Sequence, residues 1–192
     1  LRARLRMLGM LDRDRRNLKG ALHWFTLAKQ VSGSEPIYLA ELALTLEQAG
    51  QHEKAWAIAN EARTKAPTDI SIALFYAKLC LSRGFASKAI QALEQAIDTD
   101  PNNAEVWHLL STAANSSGTV PVPLHFAQKY IQLQPKEPQA HANLATAHRL
   151  NGKLDEALAS YNLALTLNAT FPEALAGKAE VLASLGRTEE AN

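Results

Sequence analysis

The chain has 192 residues, 47% of them apolar and 20% charged, with a formal net charge of +1, the balance of a soluble folded chain. No apolar run approaches the ~18 residues of a membrane span, and no signal peptide is recognisable. A single cysteine, Cys80, excludes an internal disulfide framework.

A period of 34 residues runs from Arg2 to Asn192 without insertion. Gly50, Gly84, Gly118, Gly152 and Gly186 recur at that interval, as do Pro67, Pro101 and Pro135 and, in another phase, Ala21, Ala55, Ala89, Ala157 and Ala191. The copies are residues 2–35, 36–69, 70–103, 104–137 and 138–171, with a partial copy over 172–192. A fixed period in this range signals stacked helical units. The first copy departs from the others, with Arg16 in place of the turn glycine and Asp12 at an otherwise buried position. The second shows the plan: Leu39, Leu42, Ala43 and Leu46 are spaced as one face of a helix. Gly50 then ends that helix, because glycine reaches left-handed angles without a Cβ penalty. Another helix follows and stops at or near Pro67, since proline cannot continue it. The eighth position is small throughout, as in Gly9, Ala43, Ala77, Ser111, Ala145 and Ala179, so two helices approach closely there.

The fourth copy carries Pro121 and Pro123, expected within the first turn of its second helix, where a missing amide costs little. The same copy has Ala127 at a usually large position and Tyr130 at a usually small one, a size exchange that conserves volume. Local irregularity of packing near Pro123 is the expected result. In the fifth copy the second stripe reads Ala157, Leu158, Tyr161, Ala164 and Leu165. The sixth has Lys178 at a position usually held by leucine, and only the start of its second helix, about Thr188 to Asn192, which should be poorly supported. Leu1 and Asn192 both lie where more chain is expected, so the sequence reads as a fragment.

These residues closely resemble the tetratricopeptide repeat, which pairs an aromatic or leucine at position 4 with small residues at positions 8, 20 and 27. Trp107, Leu110, Ser111 and Gly118 fit it, as do Leu144, Ala145, Gly152, Ala157, Tyr161 and Ala164. The resemblance covers about 5.6 copies, essentially the whole chain. It implies an all-α fold, a right-handed α-α superhelix or solenoid of helix-turn-helix repeats. It further implies a protein-interaction scaffold, not an enzyme, that holds a partner peptide or helix in its concave groove without a cofactor.

Other chemistry is set aside. His141 and His148 share a helical face, but no HExxH, paired CxxC or ligand-spaced cluster accompanies them, so they read as packed between helices. The glycines are dispersed one per turn and form no phosphate loop. Cys80 sits on a packing position as an inert buried thiol. Trp24, Trp56 and Trp107 read as core, and no catalytic constellation is found.

On a helix whose positions 4, 7, 8 and 11 are buried, positions 2, 5, 6, 9, 12 and 13 point away. The resemblance implies that this face of each first helix lines the groove. The candidate groove residues are then Arg6, Met10 and Arg13, followed by Leu44, Leu74, Phe75, Lys78, Leu109, Asn143 and Arg149. Leu44, Leu74, Phe75, Leu81 and Leu109 stand where ordinary packing does not require apolar residues. Curvature, a neighbouring chain or the cut ends would cover them, or they form an apolar groove with Arg6, Arg13, Lys78 and Arg149 as polar anchors. Two ligand patterns of the family are missing. The carboxylate clamp begins with Arg6 but then meets Met10, Glu41, Ser71 and Phe75, and an asparagine ladder has only Asn143.

Residues 1–35 hold eight Lys/Arg against three Asp/Glu, net +5, and the remainder is net −4. Such an end attracts an acidic partner, nucleic acid or an anionic surface, or complements an upstream repeat. Aromatic residues are sparse there, with Trp24 and Phe25 in the second helix, so nucleic-acid binding ranks low. The expected partner is a protein or peptide, with end-to-end self-association as a further possibility and the cytoplasm as the expected compartment. The alternative is a substrate-presenting repeat region of a larger bacterial transferase, of the sulfotransferase or glycosyltransferase type, with its catalytic domain outside this chain.

Overall fold

Prolines and capping asparagines mark where several of the helices begin. In the computed structural model, which describes residues 1–187, every regular element is helical. The chain divides into two compact units, Leu1–Tyr76 and Ala77 onward. The first holds α1 (Arg2–Asp14), α2 (Leu18–Ser32), α3 (Pro36–Gln48), α4 (His52–Lys65) and the first half of α5 (Ile70–Ser82). The second holds the rest of α5, α6 (Ala86–Ala96), a short 3-10 turn (Ile97–Thr99) and α7 (Ala104–Ser116). It continues with α8 (His125–Leu133), α9 (Pro138–Leu150), α10 (Leu154–Leu167) and α11 (Pro172–Ser184).

Pro36, Pro138 and Pro172 each open a helix, where the absent N–H is not needed. Asn17 and Asn103 cap α2 and α7, each side-chain oxygen accepting from a backbone N–H three residues on. Between paired helices the turn glycines take left-handed angles, with φ between 72° and 76° for Gly50, Gly84, Gly118, Gly152 and Gly186. Arg16 stands at the same place in the first copy and adopts φ 61° despite its Cβ. Asp12, half-buried as the aberrant residue of that copy, accepts a hydrogen bond from Trp24 Nε1 at 3.0 Å.

In the first unit α1 packs on α2, α2 on α3 and α3 on α4. The small positions are where helices touch: Ala21, Ala28, Ala43, Ala55 and Ala62 are fully buried. At Gly9 a Cβ would lie 2.7 Å from the Phe25 ring, so this aromatic rests on bare backbone. In the second unit α7, α9 and α11, the first helices of successive copies, are neighbours in one layer. A core of Ala145, Ala157, Tyr161, Ala164, Ala174 and Val181 lies beneath them. Gly177 admits the Tyr161 ring in the way Gly9 admits Phe25.

The fourth copy corrects one expectation. Pro121 and Pro123 precede α8 instead of lying in its first turn, and that helix has nine residues where α2, α4 and α10 have 14 or 15. Each proline removes a donor and turns the residue before it away from the α region. The non-helical segment is held from the next copy. The Val122 N–H donates to Asn151 Oδ1 at 2.7 Å, and Asn151 Nδ2 donates to the Val122 carbonyl at 3.0 Å. Val122 is thereby buried, and the exchanged pair Ala127 and Tyr130 are both buried as well. The stub over Thr188 to Asn192 lies outside the described residues.

Candidate functional site

The first unit brings together most of the groove residues read from its sequence. Glu41 on α3 is the bridge. Arg6 donates to its Oε1 through Nε at 3.2 Å and Nη2 at 2.8 Å, and Arg13 donates to Oε2 through Nη1 at 2.7 Å. The side chains of Arg6, Arg13 and Glu41 are 38%, 14% and 11% exposed, so the carboxylate is nearly withdrawn from water and neutralised twice. A withdrawn charge persists only when paired in this way. Arg13 is steadied further by lying 5.5 Å over the Phe25 ring.

Beside this cluster, between α3 and the start of α5, is a cleft of about 190 Å³. Ile37, Ala40, Leu44, Ile72 and Phe75 form its apolar walls, with Glu41 and Ser71 at its polar margin. Leu44 and Phe75 are half-buried, and Phe75 also packs on Leu39, Ala40, Ala62 and Ile72. Leu74 is half-buried outside that lining. Met10 packs on the core around Phe25 and Leu46. Glu41 lies on the groove face read from sequence but is not among the candidate binding residues. The signal for it is an acid at position 6 of one copy facing basic residues at positions 5 and 12 of the copy before.

The second unit distributes its candidates differently. Leu109 and Asn143, both expected on the open face, are instead buried, 6% and 5% exposed. The reason for Asn143 is direct: α7 lies alongside α9, and Asn143 Nδ2 donates to Ser111 Oγ at 2.6 Å. Gln139 Nε2 donates to Asn143 Oδ1, and Asn115 Nδ2 to the Asn143 carbonyl. Lys78 is exposed and pairs with Glu105, and Arg149 pairs with Glu180 at 3.2 Å. His108, half-buried on the same face, has its pKa lowered, chiefly by burial; Glu105 and Glu137 oppose that shift and Lys78 adds to it. Its Nδ1 is buried and has no hydrogen-bond partner among the described residues.

Among the described residues no group of three or more His, Cys, Asp or Glu is placed to hold a metal ion. His141 instead bonds the Pro135 carbonyl through Nε2 at 2.9 Å. Cys80 is buried. Trp24, Trp56 and Trp107 are half-buried, Trp56 stacking on Tyr76 at 5.6 Å. No described helix is long and apolar enough to cross a membrane.

Comparison with known proteins agrees with this architecture. Two family models, each described as tetratricopeptide repeat, match residues 46–113 and 126–159, more than half of the chain together. The human protein O-mannosyl-transferase TMTC1 is 27% identical over 165 residues, 84% of this chain and 19% of its own length. The chain thus spans less than a fifth of the curated relatives it matches. A tetratricopeptide repeat protein from Parabacteroides merdae superposes with a TM-score of 0.84 at 16% identity, over 99% of this chain and 75% of that one. YrrB, described as a TPR protein with an unusual peptide-binding site, gives 0.75 at 14% identity over 88% of each chain. Helix pairs closed by left-handed turns, small residues at each close approach and these matched segments lead to one assignment: the chain belongs to the tetratricopeptide repeat family, whose stacked helix pairs serve as scaffolds for protein interaction.

Proposed function

We propose that the first unit holds a segment of a partner protein across the inner face formed by α1, α3 and the start of α5. One observation carries the reading: a cleft with apolar walls lies open between Leu44 and Phe75, directly beside paired arginines. An apolar side chain of the partner would be removed from water there, a gain of about 25 cal/mol for each Å² covered. Polar groups at the margin would fix its direction. Tetratricopeptide folds typically hold partners and do not carry out reactions, and the likeness to a peptide-binding repeat protein supports the same use here.

The test is affinity capture of partner proteins by the wild-type chain and by Phe75→Glu, with thermal unfolding of both. The variant is expected to lose the captured proteins while its melting temperature stays close to wild type. Undiminished capture by Phe75→Glu, or a collapse of stability equal to the loss of binding, overturns the reading.

A further inference from the structure

Resting on that reading, we propose that the segment held by the first unit is acidic beside its apolar anchor, and that Glu41 is a built-in element of selectivity that sets how strongly the acid is held. Two guanidinium groups converge on one carboxylate, which leaves the cluster with a surplus positive charge. Glu41 also lines the cleft with Leu44 and Phe75, so the charge and the apolar walls belong to one surface. Arg6 spends Nε and Nη2 on Glu41, and its Nη1 makes no hydrogen bond among the described residues. That group, on the most exposed side chain of the three, is the donor left for an incoming carboxylate. The surrounding residues 1–35, net +5, add a long-range attraction of the same sign.

The size of the site narrows the occupant. A volume of about 190 Å³ is below the roughly 300–1,000 Å³ of small-molecule sites and suits one bulky side chain. Glu41 already fills the space between the two guanidinium groups, so a second carboxylate reaches only the outer edge of Arg6. An Asp or Glu on a flexible stem, next to the apolar anchor, fits that rim contact better than a chain terminus, which needs enclosure.

The experiment screens the full chain against an array of short random-sequence peptides, acetylated and amidated so that no free terminus competes. Peptides whose binding depends on Phe75 should carry Asp or Glu near a bulky apolar residue. Changing that acid to Asn or Gln should weaken binding about fivefold, with a smaller effect in high salt. Glu41→Gln should tighten the acidic peptides about threefold and leave their Asn or Gln versions unchanged. Arg6→Gln, at a partly exposed site that tolerates replacement, should remove the preference for acid. Phe75-dependent peptides with no acid preference, or Glu41→Gln with no gain, overturn this inference and leave the groove reading standing. An array with no Phe75-dependent binder overturns both.

Discussion

Phe25 lies against the backbone of Gly9 with no room for another carbon, and the smallest side chain tests that packing. Gly9→Ala must displace the Phe25 ring and is expected to lower stability by about 1–3 kcal/mol in urea unfolding. Arg16 gives the opposite case. It holds a left-handed angle that costs an L-residue about 1–2 kcal/mol, so Arg16→Gly is expected to raise stability by up to about 1 kcal/mol once the greater freedom of unfolded glycine is subtracted. His108 supplies a pH dependence. Burial disfavours its charged form when folded, so the unfolded chain takes up the proton first as pH falls. The stability contributed by the neutral ring is complete above about pH 6.5 and declines below it. His108→Gln should flatten that acid limb in thermal unfolding measured from pH 8 to about 5; an unchanged slope would show that other groups produce it.

Among the elements, α8 is the one whose start was not legible in the sequence. Prolines in a first turn and prolines just before a helix read alike, because both positions dispense with the amide. The difference is made by Asn151, in the following copy, which offers a carbonyl oxygen and an amide to Val122 and so holds that residue in a non-helical course. Asn151→Ala leaves a half-buried N–H and carbonyl without these partners and is expected to destabilise by about 1–3 kcal/mol. Hydrogen exchange should quicken over residues 119–124 before it does in α8. Most of the remaining helices were legible because stripe, glycine and proline agree in them, and the copy-to-copy repetition checks one reading against the next where one signal fails, as at Arg16.

For the molecule as a whole, periodicity revealed the fold and only part of the candidate site. The rule that places Arg6, Arg13, Leu44 and Phe75 on one face concerns a single helix and its axis. It contains nothing about the helix beside it. In the second unit α7 flanks α9, so Asn143, on the supposedly open face, is used internally. Glu41 was legible as a residue of that face but not as a bridge, for a related reason: its role exists only when two copies are laid side by side. Separating the scaffold from its surface is the test that belongs at this scale. Ala89→Leu, between fully buried small positions, should lower the melting temperature through overpacking worth about 1–3 kcal/mol, without altering Phe75-dependent capture measured in the cold. Phe75→Glu should do the reverse.

The clasp between Val122 and Asn151 bears on how such a chain can change over time. Residues 120–124 stand as a tethered loop where the other copies have helix, yet the next copy resumes at the regular interval of 34. What the fourth copy preserves is therefore its residue count, not its content of helix. A single asparagine in the following copy holds both the N–H and the carbonyl of Val122 in that loop. This frees the second helices to acquire prolines, loops and new surface chemistry one copy at a time, while the first helices keep their own phase.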